Sequence, residues 1–264
     1  MPTQPFQHRE IAESFGADAE RYDRTRPRYP TEVVDAIVAA CPGRRVLDVG
    51  CGTGISSRQF QAAGCDVLGV DVDARMAEWA RGRRVDVEVG AFETWDPAGR
   101  VFDAVVAGQT WHWVDPVAGA EKAAQVLRPG GRLAVFWNAH QPPDDLAEAM
   151  GAVYARALPG SPMAAAASAA GSDPYAVMAG TAADGIREAG GFAEPVHRRH
   201  GWSRVYTRDE WLDQVPTHGG HSRLPAEQLE AILAGIGAAV DAVGGSFPMR
   251  YTTVTVTPAA RRGR

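Results

Sequence analysis

Two periods of hydrophobic residues alternate along the middle of the chain. Short apolar runs, typical of buried strands, are separated by segments whose apolar residues recur every three or four positions, as in amphipathic helices. The pattern predicts strands over 45–49, 66–71, 85–89, 102–107 and 132–138, separated by helices over 55–63, 74–82 and 117–127. Because strands that alternate with helices pair in parallel through right-handed crossovers, we expect an α/β fold with helices on both faces of the sheet.

The segments on either side of this alternation have other patterns. Apolar spacing predicts a helix over 10–23, ahead of another that begins at Thr31. Residues 140–190 contain five prolines and an alanine tract, and they are too few to bury a core of their own. We therefore expect an inserted helical cap there, followed by two terminal strands at 196–206 and 251–256, the second of which is rich in β-branched residues.

The first predicted strand leads directly into a glycine-rich turn. Residues 46–54 read VLDVGCGTG, with Asp48 near the end of the strand and glycines at positions 50, 52 and 54. Glycine lets main-chain N–H groups approach a ligand closely, and the N-terminus of the helix that follows favours an anionic group. The turn therefore predicts a small-molecule site.

An acid at the end of the second strand narrows the choice of ligand. Asp71 closes that strand 17 residues after Gly54, and an acid at this place in such folds accepts hydrogen bonds from ribose hydroxyls. The glycine spacing differs from the dinucleotide fingerprint, because position 55 is Ile, and a phosphate loop would need a lysine that is not present. An adenosine-containing ligand is the prediction, with a degenerate nicotinamide site or a turn without ligand as alternatives.

VLDVGCGTG followed by GVD resembles the motifs of the class I S-adenosylmethionine-dependent methyltransferases. The segment RTRPRYP at 24–30 is similar to the entry segment of small-molecule members akin to the trans-aconitate and ubiquinone/menaquinone methyltransferases. The resemblance implies a Rossmann-like, seven-stranded, mostly parallel sheet that ends in an antiparallel pair, with S-adenosylmethionine as cofactor. It also implies one methyltransferase domain over 1–264, made of cofactor-covering helices (1–43), a cofactor-binding core (44–139), the inserted cap (140–190) and C-terminal strands (191–264).

The same resemblance assigns roles to individual residues. The glycine turn would hold the methionine part of the cofactor, Asp71 the ribose, and the arginine of the Arg-Pro pair the carboxylate. Related enzymes often carry an acid where this chain has Ala91, so the adenine amino group would meet main chain, Glu93 or water instead. The residues expected to bind the cofactor are Tyr22, Arg26, Asp48, Gly50, Cys51, Gly52, Gly54, Asp71, Val72, Met76, Ala91, Phe92 and Gln109.

The segment TWHWVDP follows the fourth predicted strand at the ligand-binding edge of the sheet. Extended geometry would send Trp111 and Trp113 to one side and His112 to the other. If His112 faces the cleft, it could act as a general base; if the tryptophans face it, they could contact the sulfonium or the substrate. The alternative is structural, with a tryptophan in the core and a local hydrogen bond from His112.

Two pairs of histidines are spaced three residues apart, His197 with His200 and His218 with His221. A zinc site needs three or four ligands, and residues three apart in a strand face opposite sides, so we expect no metal at either pair. His218 and His221 are instead predicted to line the mouth of the substrate site.

Composition and charge limit the partners. The net charge of −5 gives no electrostatic support to nucleic-acid binding, no apolar run is long enough to span a membrane, and three cysteines without a C-x-x-C motif suit a reducing compartment. We therefore expect a cytoplasmic protein with a small-molecule substrate. The sequence indicates no oligomeric state.

The predicted function is methyl transfer from S-adenosylmethionine to a small molecule by in-line displacement. Such a reaction needs alignment and exclusion of water more than a fixed catalytic set. Oxygen, as carboxylate or hydroxyl, is the favoured acceptor because His112 could serve either. Alternatives are carbon or nitrogen methylation, a nicotinamide-dependent oxidoreductase, and a nucleoside-binding protein without activity.

Overall fold

The computed structural model describes residues 6, 12–167 and 173–261. Its seven strands form one sheet in the order β3-β2-β1-β4-β5-β7-β6, in which only β7 runs antiparallel to its neighbours. The predicted mostly parallel α/β sheet with an antiparallel end is therefore confirmed. The strands are β1 (Arg45–Val49), β2 (Asp66–Asp71), β3 (Asp86–Val89), β4 (Phe102–Gly108), β5 (Leu127–Gln141), β6 (Val196–Thr207) and β7 (Ser246–Thr257).

Helices connect the strands and flank the sheet. Part of the helix predicted over 10–23 lies outside the described residues, and its described part is a 3₁₀ turn at Phe15–Asp18 followed by α1. The helices are α1 (Ala19–Thr25), α2 (Thr31–Ala39), α3 (Ile55–Ala62), α4 (Ala74–Arg81), α5 (Pro116–Val126), α6 (Asp144–Ala157), α7 (Pro162–Ala167), α8 (Pro174–Ala189), α9 (Arg208–Gln214) and α10 (Ala226–Ala242). No helix among the described residues has both the length and the apolar character needed to cross a bilayer.

Alternating side chains of the central strands fill two cores, one on each face of the sheet. Val46 and Val106 pack with residues of α2 and α3, whereas Leu47 and Val105 pack with residues of α5 and α8. Because successive strand residues point to opposite faces, strands buried on both sides must be apolar throughout. This requirement explains the continuous apolar runs in the sequence.

A third core lies beyond the end of the sheet. Leu146 of α6, Ile232 and Ile236 of α10, Trp211 of α9 and Met249 of β7 belong to this cluster. Helix α8 instead belongs to the core of the sheet. The segment predicted as a single cap over 140–190 thus contributes to two different cores, with α6 and α7 in the third core and α8 in the layer against the sheet.

Candidate active site

Two adjoining cavities open at the carboxyl ends of β1, β2, β4 and β5, where ligands bind in open α/β sheets. The first measures about 230 Å³ and reaches toward the ends of β2 and β3. The second measures about 280 Å³ and reaches toward α9, the end of β5 and the middle of β7. They meet at a common wall made of Tyr22, Arg26, Gly50, Gly52, Gln109, Thr110, Tyr175 and Gly219.

The glycines of the first turn have separate reasons for being glycine. Gly50, Gly52 and Gly54 have φ values of +61°, +55° and +81°, which L-residues with side chains rarely adopt. A Cβ at Gly50 would lie 2.0 Å from Thr110 Cγ2, so this glycine allows the turns after β1 and β4 to pack together. A Cβ at Gly52 would meet nothing nearer than Met76 Cε at 3.9 Å. Gly52 therefore leaves space for a ligand rather than for protein.

Asp71 joins the acid at the end of β2 to the glycine turn. Its Oδ2 accepts from Gly52 N at 2.7 Å and its Oδ1 from Asp73 N at 2.8 Å, while the side chain lines the first cavity. Burial outweighs these bonds and raises the pKa of the carboxyl to about 6. The carboxylate thus fixes the turn and is accessible from the first cavity, and its contact with a ribose stays a prediction.

Asp48 has a position behind the turn rather than in either cavity. It is fully buried, and its Oδ2 accepts from the hydroxyls of Ser56 and Ser57 at 2.7 and 2.6 Å. Its Oδ1 has no hydrogen-bond partner among the described residues, and burial raises its pKa to about 6. The carboxyl braces the first turn of α3 against β1.

Tyr22 and Arg26 come from the end of α1 and cover both cavities. The Arg26 guanidinium lies 4.9 Å from the centre of the Tyr22 ring and donates to the carbonyl of Thr217. Its Nε is buried without a hydrogen-bond partner, and Arg26 has no ion pair within the described part of the chain. A guanidinium left partly unpaired in a cleft favours an anionic ligand group.

Helix α1 is held to the cofactor side by Asp23. This half-buried acid bonds Arg58 at 2.6 Å and pairs with Arg83 at 3.1 Å, and Arg58 also donates to the carbonyl of Thr53 in the glycine turn. On its other side, α1 pairs with Asp213 of α9 through Arg21 and Arg24. The helix therefore bridges the two walls of the cleft.

Replacing these two acids separates their contributions. Asp23→Ala should cost about 1–3 kcal/mol of unfolding free energy, because it leaves Arg58 partly buried without its carboxylate, and it should weaken ligand binding in the cleft several-fold. Asp213→Ala is the matched control and should cost less, since solvent screens the exposed pairs it removes. Urea unfolding and calorimetric titration check both effects, and an equal loss in the two variants would contradict the bridging role of Asp23.

Gln109 has a strained backbone at the end of β4. Its φ is +55°, and its main-chain N–H donates to the carbonyl of Phe136 while its Oε1 accepts from Asn138 N at 3.0 Å. Strain of this kind persists where surrounding bonds enforce it and is concentrated at functional sites. Gln109 lines both cavities, and its contact with the cofactor stays a prediction.

The prediction of extended geometry at 111–113 is wrong. These residues form a 3₁₀ turn, which buries Trp111 in the core beside Phe92 and leaves both His112 and Trp113 lining the first cavity. A 3₁₀ turn does not alternate sides, so neighbouring side chains can share one face. Trp111 is thus a core residue rather than a substrate contact.

The environment of His112 disfavours its predicted role as a base. Its Nδ1 accepts from Trp137 Nε1 at 3.2 Å, so in the neutral ring the proton is on Nε2. Burial lowers the pKa of the imidazole to about 4. The ring therefore presents a donor rather than an acceptor to the cavity.

The other predicted cofactor residues fall into two groups. Val72 and Phe92 line the first cavity together with Glu93, and Cys51 lines the second. Those that line neither are Gly54, Met76 and Ala91. Met76 and Gly54 support the turn from behind.

The two histidines predicted at the substrate mouth have different positions. His218 lines the second cavity, but His221 is buried and bonds the Tyr154 hydroxyl through Nε2 at 2.8 Å. His221 thus belongs to the interior of the third core. The described residues contain no cluster of three or more potential metal ligands.

Much of the second cavity is lined by residues that the sequence pattern did not indicate. His140, at the end of β5, lines it together with Asn138, Gln214 and Tyr251. His140 lies two residues beyond the predicted end of its strand, at the edge where ligands are expected. Its place just after a predicted strand is the feature of the sequence that could have identified His140 as a lining residue.

A sheet of this order, with a glycine turn after its first strand and an acid after its second, defines the class I methyltransferase fold. Comparison with known families agrees, because residues 47–135 match the family described as a methyltransferase domain. The matched range contains the glycine turn, Asp71 and β4, so the similarity covers the cofactor side of the cleft. The match favours methyl transfer over the nicotinamide-dependent alternative.

Two relatives illustrate the similarity in sequence. The chain is 39% identical over 132 residues to an uncharacterized methyltransferase of Mycobacterium tuberculosis, covering 49% of this chain and 54% of that one. It is 36% identical over 134 residues to the demethylmenaquinone methyltransferase of Mycobacterium sp. (strain KMS), covering 48% and 58%. The match thus spans little more than half the length of each relative.

Solved structures extend the likeness in fold across the whole chain. A phosphoethanolamine N-methyltransferase of Haemonchus contortus, in complex with S-adenosylhomocysteine, has a TM-score of 0.53 at 14% identity, covering 97% of this chain and 59% of that one. The [4+2]-cyclase SpnF has a TM-score of 0.55 at 15% identity, covering 99% and 98%. Since one of these neighbours is named as a cyclase, the fold by itself does not give the reaction.

Proposed function

We propose that this protein transfers a methyl group from S-adenosylmethionine to an oxygen atom of a small molecule. The observation that carries the proposal is the joint position of Gly52, Asp71 and Arg26 around one cleft. An open glycine, a buried carboxylate and a partly unpaired guanidinium match the main-chain, ribose and carboxylate contacts that the cofactor needs.

The residues present fit the cofactor. Asp71 would hold the ribose, Arg26 the carboxylate, and Val72 with Phe92 would border the adenine. The unpartnered Nε of Arg26 and the space at Gly52 are features that a protein without a ligand here would have no reason to keep. When bound, the sulfonium supplies an activated methyl group.

The protein's own contribution is alignment and exclusion of water. Tyr22 and Arg26 cover the cleft from α1, and Gln109 and Thr110 form the wall between the two cavities. We assign His112 the role of a hydrogen-bond donor through Nε2 instead of a base. Alignment of this kind can supply most of the rate in a displacement that needs no metal.

Calorimetric titration with S-adenosylmethionine and S-adenosylhomocysteine tests the proposal. We expect binding of both in the micromolar range, and formation of S-adenosylhomocysteine when a suitable acceptor is added. The absence of heat with either nucleoside would contradict the proposal. Binding without turnover would favour the alternative of a nucleoside-binding protein.

The affinity for the product nucleoside should depend on pH through Asp71. Its carboxyl, with a pKa raised to about 6, is ionised at pH 7 and about 90% protonated at pH 5, so the Kd should rise about tenfold between these values. Asp71→Asn should bind the nucleoside weakly at both pH values.

Because the raised pKa values of Asp48 and Asp71 favour the folded protein as the pH falls through 6, these groups do not cause acid unfolding. Circular dichroism at each pH checks that the protein stays folded, and a constant Kd would contradict the assignment.

A further inference from the structure

We propose that the second cavity binds the methyl acceptor, that this acceptor is a carboxylic acid, and that His140 donates a hydrogen bond to its carboxylate. The inference rests on the proposed function and specifies its substrate class. It assigns a role to His140 and to a wall of the cleft that the sequence did not indicate.

The second cavity begins where the predicted cofactor site ends. It shares Gly50, Gly52 and Gln109 with the first cavity but extends away from Asp71. Its far wall is made by Gln214 of α9, by His140 at the end of β5 and by Tyr251 in the middle of β7. A molecule held there would lie next to the methionine end of the cofactor, which is where an acceptor must be.

His140 is a polar group inside this cavity without a protein partner. Its ring lies 6.2 Å from that of His218, nearly parallel at 27°, and between 6.4 and 6.5 Å from the rings of Tyr175, Trp211 and Tyr251. No other described residue forms a hydrogen bond with the imidazole, whose surface is accessible from the cavity. More than a third of the residue is accessible through the cavity, so a ligand can reach its ring nitrogens.

The charge of the lining favours an anion. No Asp or Glu is among the described residues that line the second cavity, and Arg26 is its one cation. The positive charge of Arg26 helps to lower the pKa of both His140 and His218. With the cofactor bound, Arg26 would pair with the cofactor's own carboxylate. The lining would then offer no counter-ion to a protonated amine, whereas the positive sulfonium would attract a carboxylate.

The lining also lacks a base suited to a hydroxyl acceptor, which needs a group with a pKa near 7. Desolvation by the protein around the cleft, with the charge of Arg26, lowers the pKa of His140 to about 4 and that of His218 well below its usual value, although the His140 ring is accessible from the cavity. Burial raises the pKa of the remaining titrating groups with a resolved shift, which are Tyr29, Cys51, Tyr175 and Tyr251. The carboxyls of Asp48 and Asp71 do not line this cavity. A carboxylic acid, with an ordinary pKa of about 4, is already ionised and needs no base.

The reaction then balances without a proton. A carboxylate oxygen forms a bond to the methyl carbon while the bond from that carbon to sulfur breaks, and its electron pair goes to sulfur. One negative and one positive charge give a neutral methyl ester and a neutral thioether. A displacement that neutralises charge is favoured where the cleft keeps bulk water away from the reacting atoms.

The linkage of the transferred methyl group tests the substrate class. The full chain is incubated with methyl-labelled S-adenosylmethionine and sets of C3 to C8 compounds that share a skeleton and differ in being acid, amide, alcohol or amine. We expect label on the acids, released as methanol by alkali, because esters hydrolyse and ethers or methylamines do not. Alkali-stable label on an alcohol would overturn this inference and leave the proposed function intact, whereas label on an amine would contradict both. If none of the sets gives S-adenosylhomocysteine, the result contradicts the proposed function itself.

Substitution of His140 tests the hydrogen bond by a binding measurement. With S-adenosylhomocysteine bound, His140→Leu should bind the preferred acid about 10- to 100-fold more weakly, as expected for a lost hydrogen bond to a charged group. His140→Gln keeps an N–H donor and should recover part of this loss. Affinity for the nucleoside should stay within about twofold in both, which also shows that they are folded. Wild-type acid binding by His140→Leu, or an equal loss for the nucleoside, would overturn the assignment.

Discussion

Replacing Gly52 by arginine should abolish binding of the cofactor while leaving the protein folded. At a φ of +55° a side chain costs about 1–2 kcal/mol, which a domain of this size tolerates. The Cβ itself meets only Met76 Cε, at 3.9 Å, so the rest of the arginine side chain extends into the cleft. We expect the Kd for S-adenosylhomocysteine to rise by more than about a hundredfold, because the side chain occupies the place of the ligand.

Gly64→Arg is the matched control for this substitution. Gly64 has a φ of +82°, and a Cβ there would have no atom within 4 Å, but it lies in the turn after α3 and lines neither cavity. It carries the same backbone strain without blocking the cleft, so nucleoside binding should be retained. Comparable binding by Gly52→Arg and Gly64→Arg in calorimetry would show that the ligand lies elsewhere.

Asp71→Asn should have the second largest effect, about 10²- to 10⁴-fold on nucleoside affinity. Two charge-assisted hydrogen bonds to ribose hydroxyls contribute about 1.5–3 kcal/mol each, and the neutral amide weakens both. The amide also has one acceptor oxygen for the two main-chain donors that the carboxylate serves, Gly52 N and Asp73 N. The glycine turn would therefore lose one of its bonds as well.

A neighbouring acid controls for the change of charge. Asp73 caps α4 through Arg75 N and lines neither cavity, so Asp73→Asn removes a nearby charge without touching the ribose site. It should leave nucleoside affinity within a fewfold of wild type. A larger loss of nucleoside affinity in Asp73→Asn than in Asp71→Asn would contradict the assignment of Asp71 to the ribose.

The sequence predicted the cofactor side of the molecule better than the acceptor side. Strands β1, β2 and β4 agree with the predictions to within one residue, because apolar runs, glycines and prolines mark their ends locally. The acid and the glycines that follow them lie together since parallel strands bring their carboxyl ends to one edge. Such features depend on neighbours in sequence.

The parts of the structure that differ from the predictions depend on contacts between segments that are distant in sequence. β5 extends to Gln141 because β7 pairs with it beyond the predicted end, and this pairing carries His140 into the cleft. β7 itself begins five residues earlier than predicted, since Pro248 interrupts the local pattern but is tolerated in the ladder with β6. The turn at 111–113 follows from burial of Trp111 under α5 and α8, which no local pattern encodes.

The row of side chains across the last three strands has a consequence for how specificity can change. His140 pairs with Tyr251, which pairs with Trp202 and stacks on it at 4.2 Å, so strand register positions the imidazole. A change of specificity that displaced these three side chains would also disturb the pairing of β5, β7 and β6. We therefore expect changes of acceptor specificity to arise in Gln214–Gly219, where the wall of the cavity is a short helix and a turn. We expect His140 to be retained.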